Sequence, residues 1–292
     1  MLLRVLKNAL SGARRGGRTY AWSYTVTGVI WRIAPAEPGL LVGEARDLEA
    51  KTASFFCLDS RTGAPLWEEV VLPGGWWVGI EAICGDVLYA HGFARADLPA
   101  HRGITALDLR TGRTLWSSPE SEFAGVRPDA LLAVRWTALR RELLEIDPRT
   151  GAVRNAQPWD DETGELLRRH DDRSCRPEVL LPAPLGKDAP SGRVRDHLRR
   201  HWRLEVAESA GWIAHETCDV VIVHEPAAGG EDARMNAVLA VLESRTGELL
   251  YRTVLASGLH RPLADACFVW DGMLYFVRER SSCVAYNLSS PT

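Results

Sequence analysis

Four near copies of one short corner constrain this chain more than any other feature. They are Cys57-Leu-Asp-Ser-Arg-Thr-Gly63 with Ala-Pro-Leu-Trp67, Leu107-Asp-Leu-Arg-Thr-Gly112 with Arg-Thr-Leu-Trp116, Ile146-Asp-Pro-Arg-Thr-Gly151, and Leu242-Glu-Ser-Arg-Thr-Gly247 with Glu-Leu-Leu-Tyr251. Each follows a short apolar run and leads into another, which reads as strand, tight turn, strand. Asp59, Asp108 and Asp147 can accept backbone N–H bonds two or three residues on, as in Asx turns. Gly63, Gly112, Gly151 and Gly247 supply the left-handed conformation that closes such a turn. The aromatic four residues past the glycine (Trp67, Trp116, Tyr251) points into a sheet interface, and the third copy departs here with Asn155.

The glycines are 49, 39 and 96 residues apart, the last gap being twice 48. Units of about 40–50 residues with several short strands are the mark of β-propeller blades, which are stable only when stacked. The expectation is an all-β propeller of five four-stranded blades, near 28–70, 76–118, 123–157, 210–256 and from 264 onward. The last lacks an outer strand. Arg18-Thr-Tyr-Ala-Trp22-Ser-Tyr24 can supply it, tying the N-terminal stretch to the C-terminal blade. Residues 1–17 then form a basic segment and 18–292 one domain. Residues 158–209 interrupt the pattern with Pro-rich pieces and a stretch that puts Val194, Leu198 and Trp202 on one helix face. This segment is an inserted loop and helix, or a degenerate sixth blade.

The D-x-x-T-G-x-x-x-W pattern resembles the repeats of pyrroloquinoline-quinone-dependent dehydrogenases and their non-enzymatic relatives. It is also similar to an uncharacterised bacterial family of short propellers. The resemblance covers about residues 28–157 and 210–290 and implies the fold. It implies no activity, since such repeats serve enzymes, assembly factors and scaffolds alike.

Composition narrows the partners. The net charge is −3, with no overall basic field for nucleic acid. No apolar run nears the length of a bilayer span. Arg4 and Lys7 break up the place of a secretory core, which points to the cytoplasm. In that compartment the six cysteines (Cys57, Cys84, Cys175, Cys218, Cys267, Cys283) read as free thiols, and with no C-x-x-C pair they offer no zinc site. Arg4, Lys7, Arg14 and Arg15 could give weak contact with an anionic membrane surface.

Propellers usually place function at the end reached by the loop between the second and third strands of each blade. The second strands are expected at Leu40–Glu44, Val87–His91, Leu131–Arg135 and Val220–His224. Glu44, His91, Arg135 and His224 end them, with Arg278 in the last blade and Arg46, Glu81 and His101 nearby. Such a set could bind a polar ligand or a partner, and His91, His224 and Glu44 could ligate a divalent metal. The bland alternative is that polar residues appear wherever a strand leaves the core. His197 and His201 share a helix face but lack the rest of any metal motif, and Trp76-Trp77 are expected in blade interfaces. No Walker loop, G-x-S-x-G elbow or dinucleotide fingerprint is present, and no cofactor is expected. The leading reading is a non-catalytic propeller that binds another protein. A hydrolase or lyase using Glu44, His91 and His224, and a membrane or ligand sensor, are the alternatives.

Overall fold

The computed structural model describes residues 20–95, 100–160, 162, 167, 175, 177–185, 189–202, 210–227, 234–263 and 266–289. The described part forms two compact units, one of residues 27–178 and one of residues up to 26 and from 179 onward. The basic residues Arg4, Lys7, Arg14 and Arg15 lie outside the described residues.

The first described strand is β1 (Trp22–Thr25). The 27–178 unit then holds three four-stranded antiparallel sheets. The first is β2 (Val29–Ala36), β3 (Leu40–Asp47), β4 (Thr52–Asp59) and β5 (Pro65–Val71). The second is β6 (Val78–Cys84), β7 (Val87–Phe93), β8 (His101–Asp108) and β9 (Thr114–Ser118). The third is β10 (Ser121–Arg127), β11 (Ala130–Trp136), β12 (Arg141–Ile146) and β13 (Val153–Pro158). In the other unit β14 (Ala183–Pro184) edges a sheet of β15 (Gly211–Ala214), β16 (Cys218–Pro226), β17 (Met235–Glu243) and β18 (Leu249–Leu259). The helix α1 (Ala189–Trp202) precedes β15. The last sheet is β19 (Cys267–Trp270), β20 (Met273–Arg278) and β21 (Ser282–Asn287), with β1 as its fourth strand.

Five successive meanders of this kind are the blades of a multi-blade β-propeller. The strand borrowed from the N-terminal stretch pairs in register, from Trp22 opposite Ala285 to Thr25 opposite Ser282. Trp22 is buried beside Tyr275. Among the described residues 158–209 contribute no sixth sheet. They contribute the short edge strand β14 and α1, whose Val194 and Leu198 bury against Val221, Val223 and Val238 of the fourth sheet.

Central strands are buried on both faces, as in Phe55-Phe56-Cys57-Leu58, each at most 2% exposed. One apolar layer runs between the first two sheets, from Val42, Phe55 and Trp67 to Ile80, Leu88 and Leu107. A second runs between the next two, from Tyr89 and Ala106 to Leu131 and Leu144.

The corners form as the sequence leads one to expect. Asp59 Oδ1 accepts from Arg61 N–H, Thr62 N–H and the Thr62 hydroxyl at 3.1, 2.8 and 2.8 Å. Asp108 repeats all three bonds, at 3.2, 2.9 and 2.8 Å. Backbone carbonyls of the second and third corners also bind the preceding blade. Trp67 Nε1 donates to Leu109 O at 2.9 Å, and Trp116 Nε1 to Pro148 O at 2.8 Å. A methyl on Gly112 would stand 2.7 Å from the Trp67 ring, and one on Gly151 2.7 Å from the Trp116 ring. Both glycines have φ near +70°. Each is therefore fixed twice, by its backbone conformation and by the ring packed on it. The third copy has Asn155 in place of this tryptophan. In the other unit the His197 ring of α1 packs on Gly247.

The cysteine reading needs correction. Cys84 and Cys175 form a disulfide with Cα atoms 4.5 Å apart across 91 residues of sequence. Only Cys57, Cys218, Cys267 and Cys283 are free, all of them buried. Both bridged cysteines sit in the layer between the second and third sheets, a proximity that the linear spacing conceals. Such a bond is not typical of a reducing compartment, the premise from which six free thiols were expected. Among the described residues no helix is long and apolar enough to cross a membrane.

Two outcomes are expected. Gly85 has φ +58° but open space beside it, so Gly85→Ala should cost about 1–2 kcal/mol of backbone strain. Gly112→Ala adds a collision with Trp67 worth roughly another 1–3 kcal/mol, and should lower the thermal midpoint clearly more. Thiol titration of the unreduced, denatured protein should find four reactive thiols, and six after reduction. The native protein should react slowly, because burial pushes Cys57, Cys267 and Cys283 up to about 12.

Candidate functional site

Within each four-stranded meander the 2–3 loop lies at the opposite end from the Arg-Thr-Gly corner, because the strands alternate in direction. In the 27–178 unit this loop end carries Glu44, Arg46, Glu81, His91, His101 and Arg135, on or beside β3, β7 and β11.

Glu44 and Arg46 are buried at 2% and 6% exposure and face the same side of β3, being two residues apart. Arg46 Nε donates to Glu44 Oε1 at 2.8 Å, and its Nη2 donates to Val78 O at 2.7 Å. Its Nη1 donates to Trp76 O. Glu44 Oε2 accepts Ile80 N–H at 2.9 Å. Both carboxylate oxygens are thus engaged, and the guanidinium clamps the first blade to the β5–β6 connection. A buried pair so fully hydrogen-bonded is a structural device.

The next cluster lies on three adjacent strands, β6, β7 and β8. Glu81 is the extra residue of a bulge between Ile80 and Ala82 in β6. A second bulge in β8 skips Gly103, so that Phe93 pairs with His101 rather than with Arg102. Cross-strand partners share a face, as do residues two apart. The bulge therefore turns His101 to the His91 side. The two imidazoles stack with centroids 3.5 Å apart and planes 7° from parallel. Phe93 meets both rings edge-on. Both Nδ1 atoms approach one oxygen, Glu81 Oε2, His101 at 2.7 Å and His91 at 2.9 Å. His101 makes a hydrogen bond there. His91 Nδ1 lies off the line for one and has no aligned partner among the described residues. Desolvation raises the Glu81 pKa, but the two histidine nitrogens close beside it and their charges outweigh it and hold the carboxyl below its usual range. Gly79 leaves room beside the cluster, since a methyl there would lie 3.1 Å from both Glu44 Oε2 and His91 Nε2.

The other expected residues are engaged locally. Arg135 Nη2 donates to Glu142 Oε2 at 3.0 Å. Arg135 and then Arg140 hold the Glu142 carboxyl below its usual range. His224 and Arg278 belong to the other unit. His224 Nε2 accepts Leu263 N–H at 2.9 Å, and Arg278 lies 5.5 Å from the centre of the Tyr20 ring. His91 therefore has Glu81 and His101 as immediate neighbours.

Trp76-Trp77 also need correction. They sit in the turn before β6, Trp76 half-buried and Trp77 exposed, and not in two blade interfaces. Trp77 leans edge-on to Phe93. Arg46 lies over Trp76 at 5.1 Å and over Trp31 at 5.7 Å. A second stack sets Arg141 5.0 Å from Trp136 and 4.2 Å from Trp159. Trp31 and Trp136 are 65% and 60% exposed. Sequence reasoning missed Trp31, Trp136 and Arg141. Their one signal is a bulky aromatic at a strand position that alternation assigns to solvent.

A family model described as a domain of unknown function (DUF4905) matches residues 34–116, most of the first two blades. No curated protein matches the chain. Among solved structures, the β-propeller domain of the trilobed protease from Pyrococcus furiosus is 10% identical, covering 91% of this chain and 71% of that one, at a TM-score of 0.32. An acylaminoacyl peptidase from Pyrococcus horikoshii is 12% identical over 86% of this chain and 36% of its own, at 0.30. A quinohemoprotein alcohol dehydrogenase from Pseudomonas putida is 11% identical over 93% of this chain and 44% of its own, at 0.28. The chain spans less than half the length of the last two. No residue correspondence follows at this distance, and the site has to be read from its own side chains.

Removing Arg46 should leave Glu44 buried without its cation. Arg46→Met is expected to destabilise by about 3–5 kcal/mol, and Glu44→Gln in the same chain should recover part of that loss. Chemical denaturation of the two single variants and the double variant checks the coupling.

Proposed function

We propose that the protein is a non-catalytic binding module whose β-propeller blades present their 2–3 loop ends to another protein. The observation that carries this reading is the exposure of Trp31, Trp77 and Trp136 alongside Arg46 and Arg141. Tryptophan and arginine supply most of the strong contacts in protein interfaces. Held over an arginine, an exposed indole ring is pre-organised and loses little freedom on docking.

The polar residues favour the same reading. The Glu44 carboxylate is committed to Arg46 and Ile80 N–H, and Arg135 is bonded to Glu142. Groups so engaged suit a rigid platform better than acid–base turnover, which needs an accessible proton carrier. Leu139, 95% exposed at the tip of the β11–β12 loop, extends the apolar rim beside Trp136.

A photo-crosslinking side chain placed at Leu139 tests the reading against one placed at Arg61, on a corner. The expected result is a discrete crosslinked protein from position 139 that is lost on Trp136→Ala, with affinity at least tenfold weaker and the melting temperature unchanged. Equal crosslinking from both positions, or indifference to Trp136→Ala, overturns it.

A further inference from the structure

We propose that Glu81, His91 and His101 form a binding site for a divalent transition-metal ion of borderline softness, for which zinc is the probe. This goes beyond the docking surface and does not depend on it.

Two imidazole nitrogens and a carboxylate oxygen are a donor set suited to such ions. The three ligand atoms lie within 4.8 Å of one another. All three residues come from neighbouring strands of one sheet, which fixes them more firmly than loop positions would. Two separate bulges are needed to bring them together, at Glu81 and at Gly103. A bulge that re-aims a side chain is a common device next to functional sites.

The hydrogen bonding alone leaves the cluster incompletely satisfied. One carboxylate oxygen faces two imidazole nitrogens, and it has a well-aligned bond only from His101. The His91 side chain is nine-tenths buried and its Nδ1 points into the cluster without an aligned partner. A cation would satisfy all three groups at once. With bonds of about 2.0–2.2 Å to each, the ligand atoms stand roughly 3 Å or slightly more apart, and the two rings, stacked 3.5 Å apart and 7° from parallel, have to turn out of the stack so that their in-plane lone pairs converge on the ion.

The surrounding charge is compatible. Arg46 is neutralised by Glu44, and Arg102 by Glu120, which leaves Glu81 to supply the negative charge that a cation seeks. On the far side of the His91 ring, Glu44 Oε2 and His91 Nε2 both border the space beside Gly79. Binding fixes Nδ1 of both histidines as ligand atoms, moves their remaining ring protons to Nε2 and releases any excess proton to solvent. Three protein ligands leave at least one coordination position for water or a small anionic group.

The test uses the full chain without a polyhistidine tag, stripped with chelator and titrated with zinc against a chromophoric competitor. One equivalent should bind, and cobalt should give visible d–d bands without thiolate charge-transfer absorption. Glu81→Gln and His101→Ala should each weaken zinc at least tenfold. His260→Ala, an exposed histidine elsewhere, should leave binding unchanged. His101 is partly exposed, so its removal should spare the melting temperature, which is measured alongside. The proposal is overturned by failure to bind one equivalent, by unchanged affinity in both site variants, or by a thiolate signature. None of these outcomes bears on the crosslinking result.

Discussion

The contact on which the first three blades depend joins the tryptophan of one blade to the glycine corner of the next. Trp67 lies on Gly112 and Trp116 on Gly151, and each indole N–H bonds a carbonyl of the corner it covers. A blade buries apolar side chains on both faces and cannot persist alone. The tryptophan fixes the distance to the neighbour, and the indole N–H fixes the rotation. Since the same two groups recur, one solution to the packing problem is used repeatedly.

The ring packed on a corner glycine is not always a tryptophan. The third corner is followed by Asn155, which cannot cover a glycine face. At Gly247 the ring is His197, delivered by a helix that buries Val194 and Leu198 on the fourth sheet. The inserted segment thus does structural work that an aromatic in strand four does elsewhere. The disulfide between Cys84 and Cys175 adds a covalent tie within the layer of the second and third sheets.

The loop ends of the same blades show a different balance. Glu44 and Arg46 are spent on holding the first blade to the turn before the second, and Arg135 on Glu142. Two things remain there. One is a set of tryptophans held in place over arginines and open to solvent. The other is a histidine pair stacked over a single carboxylate oxygen. Neither is needed to build a blade, and this surplus is what points to binding. A protein docking on the rings and an ion held by the histidines would use separate parts of the 2–3 loop ends.

The sequence alone determined the blades, because Asp, Thr and Gly at fixed spacing have few other turns to make, and each corner marks a strand pair. It also pointed to Arg18–Tyr24 as the source of the borrowed strand, since an unfilled sheet edge needs a partner, and the strand forms at Trp22–Thr25. Candidate residues were found by counting along second strands, which works where strands are regular. Only tertiary structure decided which of them meet. Glu81 and His101 reach His91 through bulges, and a bulge shifts register by one residue without changing any residue type. Cys84 finds Cys175, and Trp31 finds Arg46, because sheets stack. Contacts made by stacking leave no period in a linear chain.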